Sequence, residues 1–260
     1  MNLTKKAFTL IELLVVIAII AVLMAILTLA LRLAKEQVKR SVCASQIRQQ
    51  SMALLMYAQE NEEKMPTMTW AGGQWLWDVS YFTTDVIIAN GGDKKIFHYL
   101  SNQIDTNRNR YWRYSENFSS VDFDTTPEPS STYERQQHYR VIGYCYLTET
   151  KNGRGDIWAP SDPGARKVPS ARKEFIKQTT QTRHHSQMEF IIDTVIEYSG
   201  TGWILPDFYS NWAQGTNHMG RGDPGESTGG NIAFLDGHVA WRHFEDMYQR
   251  HSIQGVIFWW

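Results

Sequence analysis

From Leu13 to Leu31 the chain reads LLVVIAIIAVLMAILTLAL, without a charge, a proline or a glycine. At a helical rise of about 1.5 Å per residue this run covers roughly 28 Å, close to the hydrocarbon thickness of a bilayer, about 30 Å. It predicts one membrane-spanning helix. The apolar core of a secretory signal is shorter, about 7 to 15 residues, and gives way at a small-residue cleavage site to unrelated sequence. Here the helical pattern continues: Ala34, Val38 and Val42 recur every fourth residue, and Cys43, Ile47, Leu54 and Ala58 carry an apolar stripe through polar neighbours. Because neither Gly nor Pro occurs between Phe8 and Pro66, both stretches predict one helix of roughly fifty residues, ending in Gln59 to Lys64. Its first half is lipid-like and its second half faces a core.

The rest of the chain reads as strands and loops. Residues 231 to 241 place two alternating apolar segments around Asp236-Gly237, which predicts a β-hairpin with positive φ angles in a type I′ turn and makes Asp236 a turn residue. Tyr139 to Leu147, Phe190 to Ile196 and Ile253 to Trp260 are dense in aromatic and β-branched residues and predict further strands. Ser115 to Arg135 and Trp158 to Arg172 hold much of the Pro, Ser and Asp and read as surface loops. A long helix packed by one face on an antiparallel sheet is an α+β domain.

Composition narrows the function. Of 260 residues 42% are hydrophobic, 13% aromatic and 20% charged, which excludes disorder as the main state. A formal charge of -1 lacks the broad basic footprint of a nucleic-acid binder, so no nucleic-acid partner is expected. Two cysteines, Cys43 and Cys145, are too few for a disulfide scaffold or a four-thiolate zinc site. His184-His185, Ser186, Asp193, His218, Asp223, Asp236 and His238 carry reactive groups, yet none falls in a motif with enforced geometry. His184-His185 reads as a solvated loop pair and His238 as a strand residue beside a turn. The expectation is a protein that is not an enzyme, with no catalytic residue, no cofactor and no metal. One alternative is a structural calcium held by the Gly-rich stretch Gly220 to Glu226, including Asp223. The ten tryptophans fill a core or stack on sugars, and Trp259-Trp260 reads as an exposed docking pair.

The front of the chain is the most informative part. Lys5-Lys6-Ala7-Phe8-Thr9-Leu10-Ile11-Glu12 sets a basic leader, a small residue, an aromatic and one acid before the apolar run. An ionised side chain in hydrocarbon costs at least roughly 2.5 to 3.5 kcal/mol, so Glu12 either snorkels to the interface or has a partner. The segment KKAFTLIELLVVIAIIAVL resembles the N-terminus of type IV pilins and of type II secretion pseudopilins. That resemblance implies cleavage by a prepilin peptidase between Ala7 and Phe8, methylation of the new Phe8 amine, and an assembly role for Glu12. It also implies a type IV pilin-like α+β fold: a leader at 1-7, a transmembrane and assembly half-helix at 8-31, an amphipathic half at 32-64 and a globular head at 65-260. Two positions depart from the family pattern. Ala7 stands where Gly is preferred, and Leu29 where many members have a helix-bending Pro, which predicts a straighter helix. Further on, Cys43-Ala44-Ser45-Gln46-Ile47-Arg48-Gln49, followed by Met56-Tyr57-Ala58, is similar to a C-x-S-N-L-K-Q…YA stretch of a large pseudopilin-like family. The C-terminal signature of that family, His, nine residues, Asp-Gly, is matched at Asn231 to Val239, with His218 displaced by an insertion of about eight residues.

These readings combine into a structural subunit of a type II secretion pseudopilus or type IV pilus-like filament. Its expected partners are a prepilin peptidase, other copies of itself and related pilin-like subunits. Its expected location is the inner membrane, single-pass with a periplasmic head, and a surface filament after assembly. The alternative is a pilin-anchored carbohydrate-binding or adhesin module. With Lys5 and Lys6 retained in the cytoplasm, everything beyond the helix lies in an oxidising compartment, so Cys43 and Cys145 are a candidate disulfide; two separate buried thiols are the other reading.

Overall fold

In the computed structural model the described residues are 10-66, 75-97, 131-137, 139-148, 175-198, 202-203, 216-218, 227-253 and 256-260. Helix α1 (Leu10–Glu60) runs for 51 residues without a break and continues through Leu29. Nothing in it removes a backbone donor, because Gly and Pro are absent. It ends without a glycine. Glu62 and Glu63 take left-handed φ angles of 56° and 60°, and the Ala58 carbonyl accepts from the backbone N–H of Asn61 at 3.0 Å and of Glu63 at 2.8 Å. The Asn61 amide also donates to the Tyr57 carbonyl at 2.8 Å. Pro66 then follows.

The chain divides into two compact units, Met1–Lys39 and Arg40–Trp260. In the second, α1 buries Cys43, Gln46, Ile47, Gln50, Ser51, Ala53, Leu54 and Ala58. Most of these recur at the i, i+3, i+4, i+7 spacing of one helix face. That face lies on an antiparallel sheet of β3 (Tyr144–Tyr146), β4 (Glu189–Asp193), β7 (Gly229–Phe234) and β8 (Val239–His243), in the order β3-β4-β7-β8.

Strand alternation sorts the sheet's side chains into two layers. Tyr144 and Tyr146 reach α1, where their hydroxyls donate to the side-chain oxygens of Gln46 and Gln50. Gln50 in turn donates to the Ile96 carbonyl at 2.6 Å. Ile191 and Ala233 share this cluster with Ile47 and Leu54. Cys145, Ile192, Ile232 and Phe234 pack on the far side with Ile196, Val256, Phe258 and Trp260. A second antiparallel sheet covers them, built from β5 (Ile196–Tyr198), β6 (Gly202–Trp203), β9 (Gln249–Ile253) and β10 (Val256–Trp259), in the order β6-β5-β10-β9. Helix, sheet and sheet make a layered α+β head, the type IV pilin-like class that the sequence implied.

Several local expectations are corrected. Tyr139 to Leu147 is two strands: β2 (Tyr139–Val141) pairs with β1 (Asp78–Ser80), and β3 belongs to the first sheet. The chain breaks at Gly143, whose N–H donates to the Phe97 carbonyl at 2.7 Å. Helix α2 (Tyr81–Ala89) follows β1 directly, with Ser80 accepting from the Thr83 N–H at 3.0 Å as its N-cap. Within the segment read as a loop up to Arg135, Thr132–Gln137 forms α3, started by reciprocal 3.2 Å bonds between Ser131 and Glu134. Trp158 to Arg172 lies outside the described residues.

The β7-β8 hairpin is present, but its turn differs from the one expected. Of Leu235, Asp236 and Gly237, only Gly237 has a positive φ, 85°. The Gly237 N–H donates to the Phe234 carbonyl at 2.9 Å, and the Phe234 N–H bonds the His238 carbonyl at 3.0 Å. This is a three-residue loop with a left-handed glycine, and Asp236 accepts the His238 N–H at 3.1 Å. Trp259 and Trp260 are buried rather than presented for docking, at 8% and 1% exposure. The indole of Trp260 donates to Glu189 at 3.2 Å, a carboxylate that also binds Arg242 at 2.8 Å.

Candidate functional site

Two features carry chemistry: the exposed half of α1, and a buried polar cluster in the head. In the first unit every side chain from Leu10 to Leu33 is exposed, with Leu10 at 80% and Leu27 at 67%. Covering a Leu, Ile or Val side chain is worth roughly 1.5–3 kcal/mol, so leaving the whole stretch in water is untenable. Thr28 removes its own polar penalty by donating to the Met24 carbonyl at 2.7 Å. The surface is built for lipid or for other helices. Among the described residues α1 is the helix long and apolar enough to cross a membrane. Glu12 sits in its first turn, where a carboxylate suits the helix dipole. Ala7 and Phe8, the expected processing pair, lie outside the described residues.

In the head, Asp193 at the end of β4 is 1% exposed. Its Oδ2 accepts the Asn231 backbone N–H at 2.7 Å and the Asn231 side-chain amide at 2.8 Å. Its Oδ1 accepts from Asn217 Nδ2 at 3.2 Å. His218 Nε2 lies 3.2 Å from the same carboxylate. Asn217 and Asn231 spread the network further, to the Gly143 carbonyl at 3.1 Å and the Arg40 carbonyl at 3.2 Å. The His218 ring meets Trp241 edge to face at 5.0 Å, and Arg40 lies over that indole at 4.1 Å. Of the polar residues singled out from the sequence, Asp193 and His218 are thus brought together.

The others are not. Asp236 and His238 pair at the hairpin turn, apart from that cluster and partly exposed. Burial there works against ionisation of Asp236, but the backbone and side-chain hydrogen bonds from His238 outweigh it and lower its pKa. His184, His185 and Ser186 are exposed. Asp223 and the Gly-rich stretch 220-226 lie outside the described residues, as do Trp70, Trp112, Trp158 and Trp212. Trp75 and Trp77 stack on one another at 5.2 Å, with Trp77 3% exposed.

Of the two readings of Cys43 and Cys145, the structure has the separate buried thiols and not the bridge. The reason is strand alternation. Cys145 sits between Tyr144 and Tyr146, which face α1, and therefore points to the opposite layer, where it lies 3.5 Å from the Thr194 hydroxyl. Cys43 belongs to the helix-side cluster.

Residues 3-28 match the family model of the prokaryotic N-terminal methylation motif. The chain carries the N-terminal signature of type IV pilins and pseudopilins. No curated protein and no solved structure matches the chain. The signature is that of pilin-type structural subunits, which a prepilin peptidase processes and which assemble with other pilin subunits. Together with the exposed apolar half of α1 it marks a membrane-anchored chain.

Proposed function

We propose that this pilin-type subunit is cut between Ala7 and Phe8, is methylated on the Phe8 amine and is built through α1 into a type II secretion pseudopilus or type IV pilus-like filament. The observation that carries the reading is Glu12, a carboxylate in the first turn of α1, at the head of the helix's exposed apolar half and inside a matched methylation motif. In a bundle of such helices the Phe8 ammonium of one subunit and the Glu12 carboxylate of another neutralise each other, and their pairing offsets the desolvation of both. Before assembly the helix spans the inner membrane, with Lys5 and Lys6 on the cytoplasmic side and the head in the periplasm.

Two measurements test this. Intact-mass spectrometry after co-expression with a prepilin peptidase should show a chain beginning at a methylated Phe8; retention of Met1 overturns the processing step. Glu12→Ala should insert normally yet fail to assemble, because an unpaired buried charge costs about 3–5 kcal/mol. Filaments at normal yield would remove Glu12 from the assembly role.

A further inference from the structure

Cys43 on α1, Asp193 at the end of β4 and His218 in the segment before β7 come from three distant parts of the chain. Their ligand atoms, one thiol sulfur, one carboxylate oxygen and one imidazole nitrogen, all lie within 4.8 Å of one another. All three residues are essentially buried, at 0%, 1% and 1% exposure. From these observations we infer that Cys43, Asp193 and His218 form a binding site for a borderline-soft divalent metal ion of the zinc class, which ties the amphipathic half of α1 to the first sheet.

The geometry is close to what such an ion needs. Ligand bonds of about 2.0–2.3 Å in a tetrahedron place neighbouring ligand atoms roughly 3.3–3.6 Å apart. The His218–Asp193 pair already stands at 3.2 Å, so a small movement of the Cys43 side chain closes the set. Charge points the same way. The amide donors from Asn217 and Asn231 are neutral and orient the carboxylate without cancelling its charge. A thiolate, a carboxylate and a neutral imidazole around a divalent ion sum to zero, which removes the cost of an uncompensated ion in a buried site.

Donor type decides the class of metal. Calcium and magnesium take oxygen ligands, whereas a mixed sulfur, nitrogen and oxygen set suits zinc and its substitute cobalt. Three protein ligands leave the fourth tetrahedral position to a small ligand such as water. The chain also holds His218 in a costly conformation. Its φ is 52°, a left-handed value for a residue with a Cβ, and its carbonyl is fixed there by the Thr228 N–H at 2.9 Å and the Thr228 hydroxyl at 2.7 Å. That backbone directs the ring at Asp193.

The test uses the full chain in detergent, purified without a polyhistidine tag or chelator. Elemental analysis should find about one zinc per chain, and calcium or magnesium should not replace it. After removal of the metal, titration with cobalt(II) should produce tetrahedral visible bands and a thiolate-to-cobalt charge-transfer band in the near ultraviolet. Cys43→Ser should lose the charge-transfer band, and Cys145→Ser, whose thiol points into the other layer, should keep it. A folded wild-type chain that takes up no zinc and gives no thiolate band overturns the site. So does a band that disappears with Cys145 rather than Cys43. Should Cys43→Ser fail to fold, the wild-type cobalt spectrum and the Cys145→Ser control decide between these outcomes on their own.

Discussion

The two halves of α1 share one uninterrupted backbone and meet opposite fates. Leu10 to Leu33 holds the most apolar sequence in the chain and every side chain is exposed. The half from Cys43 to Ala58 carries Gln46, Gln50 and Ser51 on its inner face and is the half buried in protein. Apolar content therefore does not decide which half the fold encloses. Partner geometry does: Tyr144 and Tyr146 stand on alternate positions of β3 and reach Gln46 and Gln50 one helical turn apart. Once those amides are hydrogen-bonded within the protein the cost of desolvating them is offset, and Ile47 and Leu54 supply the hydrophobic gain. Between Leu13 and Leu27 the first half offers no such directional groups, so that stretch suits any apolar surroundings, whether lipid or copies of the same helix.

Removing a buried methyl cluster from the second half should have the largest effect. Leu54→Ala, at a fully buried position, should destabilise the head by about 2–5 kcal/mol in a thermal or denaturant melt. Leu27→Ala in the exposed half should leave that melt unchanged; a matching loss would erase the distinction between the halves. Ile20→Lys, in the middle of the apolar run, reverses the test. It should weaken membrane insertion by roughly 2.5–3.5 kcal/mol, read in a glycosylation or protease-protection assay, and leave the head's melting point alone.

Tyr146→Phe sharpens the comparison further. It leaves the Gln50 side-chain oxygen buried without its donor, so a loss of about 1–3 kcal/mol is expected with the fold retained. Burial raises the Tyr146 pKa well above its ordinary value. The stability this contributes is complete below the ordinary tyrosine pKa of about 10 and is lost as pH rises beyond it. Tyr146→Phe should accordingly flatten the alkaline end of the stability profile. The smallest effect belongs to the hairpin. Asp236 has a lowered pKa, so its contribution is present above the ordinary carboxylate range and falls away as pH drops through that range. Asp236→Asn should remove a small acid-side slope and nothing else.

Much of this was legible in residues that act locally. The absence of Gly and Pro from Thr9 to Met65 was enough for α1, and Asp236-Gly237 for the hairpin's position. Even so, the turn type was missed, because a glycine can serve a type I′ turn or the left-handed position of a three-residue loop. Helix α2 was hidden by β-branched residues in YFTTDVIIA; its start signal was Ser80, whose side chain caps the Thr83 N–H. The capping pair Ser131 and Glu134 marks α3 in the same way.

What the sequence determined by itself was the chemistry that depends on neighbours along the chain: the long helix, its apolar first half, the signature around Glu12 and the α+β class. The tertiary structure alone decided which face each strand residue takes and which distant residues meet. Strand alternation turned Cys145 away from Cys43, and the packing of β10 buried Trp259 and Trp260, which read as an exposed pair from the sequence alone. The meeting of Cys43, Asp193 and His218 belongs to the same class of fact. Helix periodicity and capping are encoded within a few residues, whereas register, sheet face and long-range contact are settled when the whole head minimises its exposed apolar surface and its unpaired polar groups together.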